Sequence, residues 1–84
     1  MNKSPIGKFK VFRKSENTNS FGHHKLFVIN DSNEVFTTHR SLSYPIAIGD
    51  KLVARNGLFT SCEMTEFWGV PPQGALKEIQ SILN

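Results

Sequence analysis

In "DKLVARNGLFTSCEM", residues 50–64, the pair Asn56-Gly57 separates two runs that alternate in the two-residue period of a strand. Both residues tolerate the positive φ that a two-residue type I′ hairpin turn demands. Such a turn sets the pairing beyond it, with Ala54 facing Phe59 and Leu52 facing Ser61. Leu52, Ala54 and Phe59 then form an inward face. Lys51, Val53 and Arg55 lie outward with Leu58, Thr60 and Cys62. The second half of the chain is thereby directed towards antiparallel sheet.

The first half has the same grammar. "GKFKVFR", Gly7 to Arg13, places Phe9 and Val11 on one face and Lys8, Lys10 and Phe12 on the other. The polar stretch Lys14 to Gly22 reads as a loop. "HHKLFVIN" and "EVFTTHR" flank the turn residues Asp31, Ser32 and Asn33 and read as a hairpin. A tight symmetric turn there pairs Phe27 with Phe36, Val28 with Val35, and His24 with His39. Pro45 marks residues 41–49 as a connection, since proline removes a ladder donor. "TEFWGVPPQ" is expected to leave the sheet. Leu76, Ile79 and Leu83 recur at helical spacing, so a C-terminal helix is expected over 72–83.

Five short strands would expose edges unless they curl together. The expected fold is therefore mainly β: a small five-stranded antiparallel barrel, OB or similar, over 7–64 with one C-terminal α-helix. The 84 residues give one domain, 1–84, with a small core. The single cysteine, Cys62, allows no internal disulfide, which favours a cytoplasmic setting. No run approaches the roughly 20 apolar residues of a membrane span, and the N-terminus has no signal-peptide pattern.

The net charge of +3 is unevenly spread. Residues 1–40 hold seven basic and three acidic side chains, a balance of +4, whereas residues 41–84 come to −1. A basic half suits a polyanion, although solubility alone also accounts for so small a charge.

The residues also resemble a known family. Cold-shock domains are five-stranded OB barrels that open with a Gly-x-Val-Lys-Trp-Phe strand. They continue through Gly-Phe-Gly-Phe-Ile and Asp-Val-Phe-Val-His-Phe strands to a later Gly-x-x-Val strand. This chain offers Gly7-Lys8-Phe9-Lys10-Val11-Phe12, Phe21-Gly22, Phe27-Val28-Ile29, Glu34-Val35-Phe36-Thr37-Thr38-His39 and Gly49-Asp50-Lys51-Leu52-Val53. The similarity covers residues 7–64 in order. It implies an OB barrel and binding of single-stranded nucleic acid. Val11 stands where the family has its base-stacking tryptophan, and Thr38-His39 stands for the His-Phe pair. His23, His24 and Lys25 separate Phe-Gly from the second apolar segment, and residues 68–84 have no counterpart. The likeness thus supports the barrel more than base recognition.

Three binding readings follow. In the first, Lys8, Lys10, Lys25 and Arg40 contact the phosphates of single-stranded RNA or DNA, while Phe12, Phe27 and Phe36 stack on bases, with little sequence preference. Burial of Phe27 and Phe36 in the core is the competing interpretation of those rings. In the second, Tyr44, Phe67 and Trp68 anchor a protein partner, or the helix joins two copies into a homodimer. Those aromatics serve equally as the lid of a larger core. In the third, His24 and His39 share a metal ion, with His23 or Cys62 adding a ligand; the usual Cys/His spacing is missing, and no metal or other cofactor is expected. Scattered acids and the lack of a glycine-rich phosphate loop argue against an enzyme.

Overall fold

A computed structural model describes residues 3–18 and 22–84, with the backbone alone for residues 16–18. Phe21, part of the family resemblance, lies outside the described residues. Six antiparallel strands are followed by one helix: β1 Gly7–Thr18, β2 His23–Ile29, β3 Val35–Ser41, β4 Lys51–Arg55, β5 Leu58–Phe59, β6 Cys62–Gly69 and α1 Gln73–Leu83. The order across the sheet is β5-β4-β1-β2-β3-β6, and the sheet curls into a nearly closed barrel.

The Asn56-Gly57 turn forms as expected. Asn56 has φ 54° and Gly57 φ 79°, and Ala54 pairs with Phe59. The strand then breaks: Ser61 takes a positive φ of 59°, and the chain re-enters as β6 against β3. One expected strand thus becomes two, giving six rather than five. Thr65 to Gly69, expected outside the sheet, belongs to β6. The break also turns Cys62 inward, where it packs on the barrel core instead of facing out with Leu58.

The β2–β3 hairpin has a register one residue away from the expected one. Val28 lies opposite Phe36, Phe27 opposite Thr37, and Ile29 opposite Val35. The cause is a three-residue loop, 31–33, whose last member Asn33 adopts φ 61°. Asn30 braces it: its side-chain Oδ1 accepts from the backbone N–H groups of Ser32 and Glu34 at 3.0 and 2.9 Å. A one-residue slip reverses the faces of one strand relative to the other. Phe27 and Phe36 therefore point to opposite sides.

Inside the barrel, Phe9 meets Phe36 and Phe59 edge-on, with ring centroids 5.4 and 5.1 Å apart. Val11, Leu26, Val28 and Leu52 complete the cluster, and Ile46 plugs it from the connection between β3 and β4. That connection is tied down by Gly49 N–H donating to Val11 O at 2.7 Å. The Asp50 carboxylate accepts from Ala47 N–H at 2.8 Å.

α1 packs on the outside of the wall rather than inside it. Leu76 and Ile79 are buried against Ile29 and Val35, and Leu83 and Phe12 pack alongside. Its N-cap, Pro72, makes no side-chain capping bond, and the helix has no acidic residue in its first turn and no basic one in its last. An eleven-residue helix without such support depends on its packed stripe. Among the described residues, no helix is long and apolar enough to cross a membrane.

Candidate nucleic-acid interface

The outer wall of β4, β1 and β2 gathers most of the cations. Phe9 and Val11 turn inward, so Lys8 and Lys10 project outward and are exposed. β4 alternates likewise, burying Leu52 and Ala54 and exposing Lys51, Val53 and Arg55. The pairing sets Lys10 directly opposite Lys51, and Lys8 opposite Val53. Lys8, Lys10 and Lys51 line a depression of about 420 Å³ that reaches Gln80 in the last turn of α1 and Asn84 just beyond it, with Asp31 as its one acidic side chain among the described residues.

Further along β1 a bulge intervenes. Val11 pairs with Val28 and Arg13 with Phe27, which leaves Phe12 as the extra residue. The bulge puts Arg13 outward beside Phe27. Arg13 and Lys25 both lie over the Phe27 ring, their charged centres 5.4 and 5.5 Å from its centroid. Phe12 meets Phe27 at 6.2 Å, and both rings are half-buried. The Phe12–Phe27 side continues into a groove of about 450 Å³ bounded by Trp68 and α1.

Of the expected nucleic-acid contacts, Lys8, Lys10, Phe12, Lys25 and Phe27 share this outer wall. Phe36 and Arg40 do not. Phe36 is 1% exposed at the centre of the barrel, so it cannot stack on a base. Arg40 lies four residues further along β3 on the same inward face, pairs with His24 and Cys62, and lies over the Tyr44 ring at 5.6 Å. Both corrections come from the hairpin register. Arg13 and Lys51 join the site in their place. Lys51 was legible in the outward alternation of β4; Arg13 reaches the wall only through the bulge.

The three aromatics expected to anchor a protein do not form one patch. Phe67 packs on Phe36 at 5.1 Å and carries Lys3 over its ring. Trp68 follows on the same strand and is 59% exposed, whereas Tyr44 lies in the β3–β4 connection beside Arg40.

The histidine pair also dissolves. His24 points inward opposite Arg40, while His39 lies opposite Lys25 on the other face. His23 Nδ1 lies against the Glu63 carboxylate. Among the described residues, no group of three or more His, Cys, Asp or Glu side chains could hold a metal ion. His24, Thr38, Arg40 and Cys62 instead make a polar row within the barrel. Thr38 shares a hydrogen bond with the Thr65 hydroxyl at 2.9 Å and donates to Glu63 O at 3.1 Å. Burial, then the nearby charges of Lys14, Arg40 and His23, hold the His24 pKa below its ordinary value. Burial pushes the Cys62 thiol up, against the opposing effects of Arg40 and Thr38.

Comparison with protein-family models, curated proteins and solved structures returns no match.

Proposed function

We propose that this chain binds single-stranded RNA or DNA along the outer wall of β4, β1 and β2, with little dependence on sequence. The observation that carries the reading is the excess of cations along the wall: Lys51 and Lys10 face each other, Lys8 lies beside them with Asp31 as the acidic side chain of their depression, and Arg13 and Lys25 flank Phe27. Like charges directly opposite on a sheet cost stability. Several carboxylates that could relieve the track are occupied. Glu34 is paired with Lys3, Glu63 with His23, and Asp50 with a backbone N–H. A phosphate backbone supplies the missing negative charge, and Phe27 offers part of a ring face for stacking.

The connectivity is compatible with the reading. β1 lies between β2 and β4, and β5 with β6 reads as one interrupted strand, as a five-stranded Greek-key OB barrel would require. α1 covers the Ile29–Val35 end of the wall, so the proposed track runs beside the helix towards β4.

The test is binding of a labelled uridine oligonucleotide across a salt series, with a duplex of equal length as competitor. Log affinity should fall linearly with log salt, and the duplex, whose base faces are hidden, should compete poorly. Absence of binding at low salt would overturn the reading. A protein captured from lysate by the wild type but not by Trp68→Ala, together with that absence, would favour a protein partner.

A further inference from the structure

The groove beside Phe27 sets Glu78, a carboxylate that the cation track does not explain, in the same lining as Arg13. Val35, Pro71 and Ile79 form its buried floor, and Trp68 stands on its rim. Arg13 and Glu78 line it, both exposed, and neither takes part in an ion pair among the described residues. At about 450 Å³ it is far larger than a single water and matches the scale of small-ligand clefts.

We infer that this groove is a base pocket of the same interface and that it prefers guanine, an inference that rests on the nucleic-acid reading above. A splayed base can stack on an aromatic face while its edges hydrogen-bond to polar side chains. Trp68, Phe27 and Phe12 supply apolar ring surface. The polar pair then selects among bases. A guanidinium donates to the O6 and N7 acceptors of guanine, its commonest specific partner. A carboxylate accepts from the N1–H and N2–H₂ donors on the Watson–Crick edge of the same base. Adenine presents an unprotonated N1 there, which a carboxylate repels. Uracil offers one N–H and no second donor beside it. Guanine alone of the four common bases presents two adjacent acceptors to a guanidinium on one edge and two adjacent donors to a carboxylate on the other. An apolar peptide side chain would fill the same space without using either charge.

Trp68 is the only tryptophan, so its fluorescence reports directly on the groove. The probes are a uridine hexamer and two hexamers carrying one central guanosine or one central adenosine. The guanosine strand should quench Trp68 most and bind about tenfold more tightly than the other two. Glu78→Gln should reduce that ratio to near one while leaving affinity for the uridine strand unchanged or slightly higher. Guanosine and adenosine strands of equal affinity in the wild type would overturn the inference, as would a guanosine preference that survives Glu78→Gln. Those results leave the salt-dependent binding of the uridine strand intact, so failure here is distinct from failure of the cation track.

Discussion

Lys10 and Lys51 lie directly opposite each other across β1 and β4, both exposed, with Lys8 nearby on the same wall. In a sheet selected for stability alone, an acidic residue at either position would form a cross-strand pair. Lys51→Gln removes the repulsion. It should raise unfolding free energy by roughly 0.2–1 kcal/mol and weaken oligonucleotide affinity at the same time. Urea denaturation checks the first effect and titration the second. A loss of stability would show that the two ammonium groups do not oppose each other, and the reasoning from missing negative charge would fail with it.

The two hairpin phenylalanines should behave in opposite ways. Phe36, 1% exposed and touching Phe9 and Phe67, should cost about 3–5 kcal/mol on replacement by alanine. Phe27→Ala should cost much less stability, since the ring is only half-buried, but should weaken binding of the uridine strand. Equal destabilisation by both would contradict the register in which they face opposite sides.

His24 gives the fold a pH dependence of defined sign. Its pKa is held below 6.5 by burial, with Lys14 on β1, Arg40 on β3 and its neighbour His23 acting in the same direction. The folded state therefore binds fewer protons than the unfolded state between the two pKa values. The stability that neutral His24 contributes is complete above about pH 6.5 and is lost as pH falls through the depressed folded value. His24→Gln should flatten that part of the acid limb in urea midpoints measured stepwise below pH 7. The same slope in both proteins would refute the assignment.

The loop that sets the hairpin register can be probed by itself. Asn30 accepts two backbone N–H bonds and donates to the Glu34 carboxylate at 3.0 Å. Asn30→Ala should lose on the order of 1–3 kcal/mol. Asn33 holds φ 61°, a region glycine adopts freely and β-branched residues resist. Asn33→Gly should therefore be near neutral in thermal unfolding, and Asn33→Val clearly destabilising. If valine is tolerated as well as glycine, the left-handed residue is not what fixes the register.

These cases also explain which features were legible in the sequence. Asn56-Gly57 specified its hairpin because both residues suit the same turn, and the faces of Leu52, Ala54 and Phe59 followed. Phe9 and Val11 were readable as core by alternation, and Leu76, Ile79 and Leu83 as a stripe by helical period. The β2–β3 hairpin lacked such a signal. Its turn residues allowed a two-residue or a three-residue loop, and both faces of β2 and β3 are apolar enough that neither pairing was penalised in the pattern. Only the positive φ of Asn33 separates the alternatives, and asparagine permits that conformation without demanding it. Bulges erased the remaining periodicity. Phe12 sits at one on β1, and shifts in the β3–β6 pairing hid Thr65–Gly69 from a two-residue reading. The cation track was half visible: Lys8, Lys10 and Lys51 face outward by alternation, but the Lys10–Lys51 pairing emerges only with β4 placed beside β1.

The central claim is that Lys10 and Lys51 together bind a phosphate backbone, and the salt dependence of binding measures it most directly. Each phosphate contact on a single strand contributes about 0.7 to the slope of log affinity against log salt. The Lys10→Gln, Lys51→Gln double variant should therefore bind the uridine oligonucleotide with a slope smaller in magnitude by about 1.4, with the fold intact by circular dichroism. A slope identical to that of the wild type would contradict the account.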